Sequence, residues 1–110
     1  TYSYIFDWKS PLLGGALGAC HTIELPFVFG TYAAPGLSML VGEGPEVEEL
    51  SRKTQDAWLA FARHGDPSNE SLGRWPAFDP QSRHVMVLSA RAHVEQHPWE
   101  AERRAWDGIL

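Results

Sequence analysis

TYSYIFDW, residues 1–8, sets four aromatic side chains and an isoleucine within eight positions, with no glycine or proline. That composition favours a pleated strand over a helix or a loop. Tyr2, Tyr4 and Phe6 alternate onto one face, with Ile5 and Trp8 on or near the other. Little polar surface is left on either side. A strand apolar on both faces belongs in a sheet covered above and below, the α/β arrangement.

Working outward, residues 9–30 read KSPLLGGALGACHTIELPFVFG. Gly14, Gly15, Gly18, Pro11 and Pro26 break any long helix or strand. Leu12, Leu13, Leu17, Ile23, Leu25, Phe27, Val28 and Phe29 are too apolar for a free linker. The segment must therefore pack irregularly, with its backbone polar groups satisfied, as functional loops commonly do. Residues 31–45 extend the loop region.

Residues 45–64 give the clearest helix. Gly44 stands at the N-cap, Pro45 at the first position, and Glu46, Glu48 and Glu49 in the first turn. Val47, Leu50, Thr54, Ala57, Trp58, Phe61 and Ala62 recur at spacings of three and four. Trp58 and Phe61 are expected in the core. Glu48 with Arg52 and Glu49 with Lys53 form two i,i+4 pairs. Gly65 and Asp66-Pro67 end the helix. Residues 66–83 are turns, with Trp75 anchoring one of them. His84–Ser89 forms a short strand, and Pro98 opens a final helix carrying Trp99, Arg103, Trp106 and Leu110 on one side.

The 110 residues allow one domain at most, and their 44% hydrophobic content marks a folded chain. Nine dispersed basic residues against 14 acidic ones, net charge -5, argue against a nucleic-acid surface. The lone Cys20 excludes an internal disulfide and a Cys-rich zinc module, and leans toward a reducing, cytoplasmic setting. No apolar run approaches the roughly 20 residues of a membrane span. The chain opens inside a strand, with no Met and no signal peptide. A part of a longer domain is expected.

Chemistry is sought first at histidine. His21, on the irregular apolar loop, suits a general base whose pKa can sit near neutrality. The same placement suits a hydrogen-bonded structural histidine, and residue context leaves both open. His64 closes a helix and reads as a surface residue that offsets the helix dipole, while His84 borders a turn and has no partner pattern. His93 and His97 share the i,i+4 spacing of a zinc pair, but Pro98 opposes a continuous helix there and no third ligand follows. Cys20 adjoins His21 in sequence, which points the two side chains apart and leaves a small buried thiol. Ser38 in Gly36-Leu-Ser-Met-Leu lacks the second glycine and the strand-turn-helix frame of a nucleophile elbow. Gly14-Gly15-Ala-Leu-Gly18 matches no phosphate-binding loop.

GACHTIELPFVFG, residues 18–30, resembles the histidine loop of the type B carboxylesterases, the para-nitrobenzyl esterases of bacteria among them. YSYIFDW, DAWLAFARHGDP, RWPAFD and a Trp-containing last helix continue the likeness in the family's order. The resemblance implies the C-terminal portion of an α/β-hydrolase fold over residues 1–110, strands plus two helices, short of a complete domain. It implies hydrolysis of carboxylic esters by a Ser-Glu-His triad, with His21 as its histidine. Glu24 matches an acid that would hold the histidine loop in shape, and Phe27, Val28 and Phe29 would pack beneath it.

The family's G-E-S-x-G elbow, oxyanion loop and triad glutamate have no counterpart in this chain. The remainder of an esterase chain is thus the implied partner, a small ester the substrate, and no cofactor or metal is required. Alone, the chain would be inactive. The rival readings are a non-catalytic binding module on the same fold and a metal hydrolase built on His93 and His97.

Overall fold

The computed structural model describes residues 1–109. Strand β1, Tyr4–Phe6, lies parallel to β2, His84–Leu88, with Tyr4 opposite Met86 and Phe6 opposite Leu88. Strand β3, His93–Gln96, returns antiparallel on the other side of β2, giving the order β1-β2-β3. The regular part of residues 1–8 is thus three residues long, and β2 is the central, buried strand.

Even-numbered side chains of the first segment share one face. The Tyr4 ring meets Trp58 and Trp75 edge-on, at centroid distances of 5.2 and 6.3 Å, and Phe6 lies 5.1 Å from Phe27. Trp8 belongs to this face too, 5.5 Å from Phe27, contrary to its expected place near Ile5. Strand alternation keeps residues 4, 6 and 8 on the same side, and that parity governs.

Among the described residues four α-helices and a short 3-10 turn, Leu12–Gly15, are present where two helices were expected. Helix α1, Leu25–Val28, and α2, Leu37–Val41, are single turns within stretches read as loop. Helix α3, Pro45–His64, has the expected bounds, and Gly65 closes it at φ 74° with its N–H on the Phe61 carbonyl at 2.7 Å. Helix α4 is Glu100–Arg104, preceded by Trp99 in the left-handed region. Leu110, placed with Trp106 in the sequence reading, lies outside the described residues.

The core joins Ile23 and Phe27 of the histidine segment, Val41 of α2, Val47, Leu50 and Ala57 of α3, Trp75, and Met86 and Leu88 of β2. Trp75 is buried and its indole N–H donates to the Ser3 carbonyl at 3.2 Å, which fixes the turn after α3. Trp58 is half-buried and Phe61 is 52% exposed, so the outer face of that stripe is not core in this chain. Of the two expected ion pairs on α3, Glu49 meets Lys53 at 2.7 Å. Arg52 turns instead to Asp56, at 3.3 Å, whose carboxylate also accepts the Ser71 hydroxyl.

The chain is more open than its mass requires. Its accessible surface is 7175 Å², against about 6,100 Å² for a folded monomer of this mass. Its radius of gyration is 15.2 Å, against about 13 Å for a compact chain of this length. The excess is apolar in part, with Leu13, Phe29, Met39, Trp99, Trp106 and Ile109 all well exposed.

Candidate active site

His21 sits at the start of a tight run of turns between Cys20 and Glu24. The Ile23 N–H donates to the Cys20 carbonyl at 3.3 Å and the Leu25 N–H to the Thr22 carbonyl at 3.1 Å. Thr22 adopts φ 66°, a left-handed conformation that is costly for a β-branched residue. Its hydroxyl donates to the His21 carbonyl at 2.6 Å. The strain sits directly beside the histidine, and His21 itself is exposed.

Both ends of this exposed turn are fastened. On the upstream side the Gly18 carbonyl accepts the Ser10 N–H at 3.0 Å. The buried Ser10 hydroxyl donates to the Leu40 carbonyl and accepts the Leu12 N–H at 3.2 Å. The Trp8 indole N–H meets the Val41 carbonyl at 2.8 Å, so two side chains cap the end of α2.

On the downstream side Ile23 and Phe27 are buried anchors, Phe27 against Phe6 and Trp8. The Phe27 carbonyl, near the end of α1, accepts the Gly30 N–H at 3.3 Å and, more closely, the buried Ser51 hydroxyl of α3 at 2.8 Å. The Gln55 amide reaches the same carbonyl at 3.3 Å and the Ser51 oxygen at 2.9 Å. Gly30 turns the chain away at φ 66°, and a Cβ there would lie 2.9 Å from the Gln55 amide nitrogen.

Glu24 precedes α1 and is half-buried. Its side chain makes no capping hydrogen bond; its carbonyl accepts the N–H groups of Phe27 and Val28 at 3.0 and 2.9 Å. Burial, and then the Glu24 charge, push the Tyr4 phenol above its ordinary pKa. Val28 is half-buried, but Phe29 is 72% exposed and does not pack under the loop. On a single helical turn, residues 27 and 29 lie on opposite sides.

The other candidates separate from His21. Ser38 lies inside α2, its carbonyl accepting the Gly42 N–H at 2.8 Å, in a setting unlike a strand-to-helix elbow. Cys20 is half-buried and free. His64 is exposed at the end of α3, and His84 starts β2 opposite Gln96. His93 begins β3. His97 lies beyond the end of that strand at φ 54°, so the two histidines do not share the helix face on which the i,i+4 zinc spacing depends. The His93 ring faces the Arg91 carbonyl and Glu95, while His97 lies 4.0 Å from Glu100. Among the described residues no three His, Cys, Asp or Glu side chains converge as a metal site. Among those residues, too, no helix is long and apolar enough to cross a membrane.

An aromatic groove of about 230 Å³ opens between β1, α3 and the following turn, lined by Tyr2, Tyr4, Trp58, Phe61 and Trp75. His21 is not among its lining residues.

Comparison with known proteins places these features in a lineage. The model of the carboxylesterase family matches residues 1–106. The chain belongs to that family. It is 36% identical over 106 residues to the para-nitrobenzyl esterase of Bacillus subtilis (strain 168), covering 94% of this chain and 21% of that protein. It is 40% identical over 88 residues to the phenmedipham hydrolase of Pseudarthrobacter oxydans, covering 78% of this chain and 18% of that protein. The Geobacillus stearothermophilus carboxylesterase EST55 superposes with a TM-score of 0.80 at 42% identity, over 96% of this chain and 21% of that one. The three strands and their helices are part of the α/β-hydrolase fold. The chain spans about a fifth of the length of the relatives it matches.

Ser10, Ser51 and Gln55, the side chains that fasten the segment, were missed in the sequence reading. A signal existed for one of them. Ser51 falls between Leu50 and Thr54 on the buried side of α3, where a hydroxyl needs a partner.

Proposed function

We propose that this chain is the histidine-bearing part of a serine carboxylesterase, with His21 as the proton carrier. The observation that carries the reading is an exposed imidazole on a turn fastened at Gly18 and Phe27, within a chain of the carboxylesterase family. Such a histidine is accessible to a substrate yet fixed in place, as proton transfer requires.

In the reaction, the His21 imidazole takes the proton from a serine hydroxyl as that oxygen attacks the ester carbonyl. It returns the proton to the departing alcohol oxygen as the acyl bond breaks. Water then repeats the exchange on the acyl-enzyme and frees the carboxylic acid. The serine, the oxyanion donors and the triad glutamate would come from the rest of the esterase chain, which is also the partner for the exposed apolar residues. Glu24 supports the loop that carries His21, through its carbonyl at the head of α1. The chain by itself lacks the groups that accelerate acyl transfer.

Labelling the complete polypeptide with a fluorophosphonate, mapped by mass spectrometry, tests the reading. The expected adduct is on a serine outside these 110 residues, with labelling strongly slowed by His21→Ala. An adduct on Ser38, or labelling unchanged in that variant, would overturn it.

A further inference from the structure

We infer that Ser51 and Gln55 of α3 are positioning residues for His21, a two-residue clamp that sets the imidazole through the carbonyl of Phe27. The inference rests on His21 being the proton carrier proposed above.

Helix α1 is a single four-residue turn, too short to hold its own shape in water. Its geometry is therefore imposed from outside. Ile23 and Phe27 fix it by apolar contact, which sets depth but leaves rotation about the contact free. Directional bonds remove that freedom. The Ser51 hydroxyl is buried, donates to the Phe27 carbonyl at 2.8 Å and accepts the Gln55 amide at 2.9 Å. That amide also reaches the Phe27 carbonyl, so the three groups close a triangle.

Gly30 is shaped to admit the clamp, since a Cβ there would stand 2.9 Å from the Gln55 nitrogen. Five residues separate His21 from Phe27, and Thr22 carries left-handed strain between them. A strained turn keeps its conformation only while its flanks over-determine it. Releasing the Phe27 carbonyl would let the turn relax and shift the imbalance to the ring of His21. The loss would fall on turnover and spare substrate affinity, because the clamp touches no substrate.

Thr54 supplies the control. It is as buried as Ser51 on the same helix, but its hydroxyl bonds to the Leu50 carbonyl within α3. Thr54→Val therefore deletes a buried hydroxyl without touching the clamp.

The experiment is steady-state hydrolysis of a para-nitrophenyl ester by the complete esterase polypeptide and its variants. Ser51→Ala should lower kcat about 10- to 100-fold with KM little changed, as expected when a reacting group is misplaced by a fraction of a bond length. Thr54→Val should leave kcat near that of the parent, and Ser51→Thr should restore part of the loss. If Ser51→Ala fails to fold, Gln55→Met reads the same clamp from its half-buried partner. Unchanged kcat in the Ser51 and Gln55 variants would overturn the clamp, as would an equal loss in Thr54→Val. Normal turnover in His21→Ala would instead remove the underlying reading, so the two failures are distinguishable.

Discussion

Helices α1 and α4 are similar in length and opposite in how they are held. Both are too short to persist alone. Helix α1 is fastened by buried groups: Ile23, Phe27 and the Ser51 hydroxyl. Helix α4 has no buried residue and is tied by charge. The Glu100 carboxylate receives Arg83 at 3.1 Å, Arg103 at 3.0 Å and Arg104 at 2.9 Å, joining the helix to the start of β2. Trp99 and Trp106 point apolar surface outward beside this network. The contrast teaches that the segment carrying His21 is positioned by forces that salt and pH do not screen, whereas the C-terminal segment is positioned by forces they do.

The largest break in that contrast should come from Phe27→Ala, which empties a fully buried aromatic site. Loss of about 3–5 kcal/mol of local stability is expected, read as faster hydrogen exchange at the Val28 and Phe29 amides, both bonded within the segment. Unchanged protection there would show that Phe27 is not the anchor. Ser51→Ala should act on the same amides more weakly, by about 1–3 kcal/mol, since it leaves the buried Phe27 carbonyl with poorer partners.

Acid should reverse the pattern. Hydrogen bonds from Arg103, then from Arg104, hold the Glu100 carboxyl well below the usual carboxylate range. A depressed folded-state pKa adds stability above the unfolded value, about 4.3 for Glu, and that stability declines as pH falls toward the folded one. Protection factors at the Arg103 and Ala105 amides, each referred to the unstructured rate at the same pH, should therefore fall below about pH 4, while that at Val28 stays constant. Equal responses at both helices would erase the distinction.

The smallest effect is expected at Arg52. Because Arg52 pairs with Asp56, Arg52→Gln should lose its small effect on the melting midpoint in an Asp56→Asn background and keep it in a Glu48→Gln background. The reverse result would restore the pairing expected from sequence spacing.

The sequence was most legible where one local rule dominates. Gly44, Pro45, the acidic first turn and Gly65 each act within a few residues, and α3 has the bounds they imply. Strand β2 was readable for the same reason, as an apolar run between turns. Strand β3 was not, because HVEQ is polar and exposed and owes its form to pairing with β2. Trp58 and Phe61 read as core from their spacing, yet periodicity reports a face and not what covers it. At the site, His21 was legible as a residue type on an unusual loop, while its fastening was not. Ser51 reaches Phe27 across 24 positions of sequence, and such a contact leaves no local pattern.

The central claim is that His21 carries the proton, and the turnover of His21→Ala in the complete polypeptide tests it most directly. A loss of kcat of at least about 10⁴-fold, with the fold and substrate affinity retained, is predicted. Turnover within about tenfold of the parent would contradict the claim, because other triad members leave no such residual rate when their base is gone.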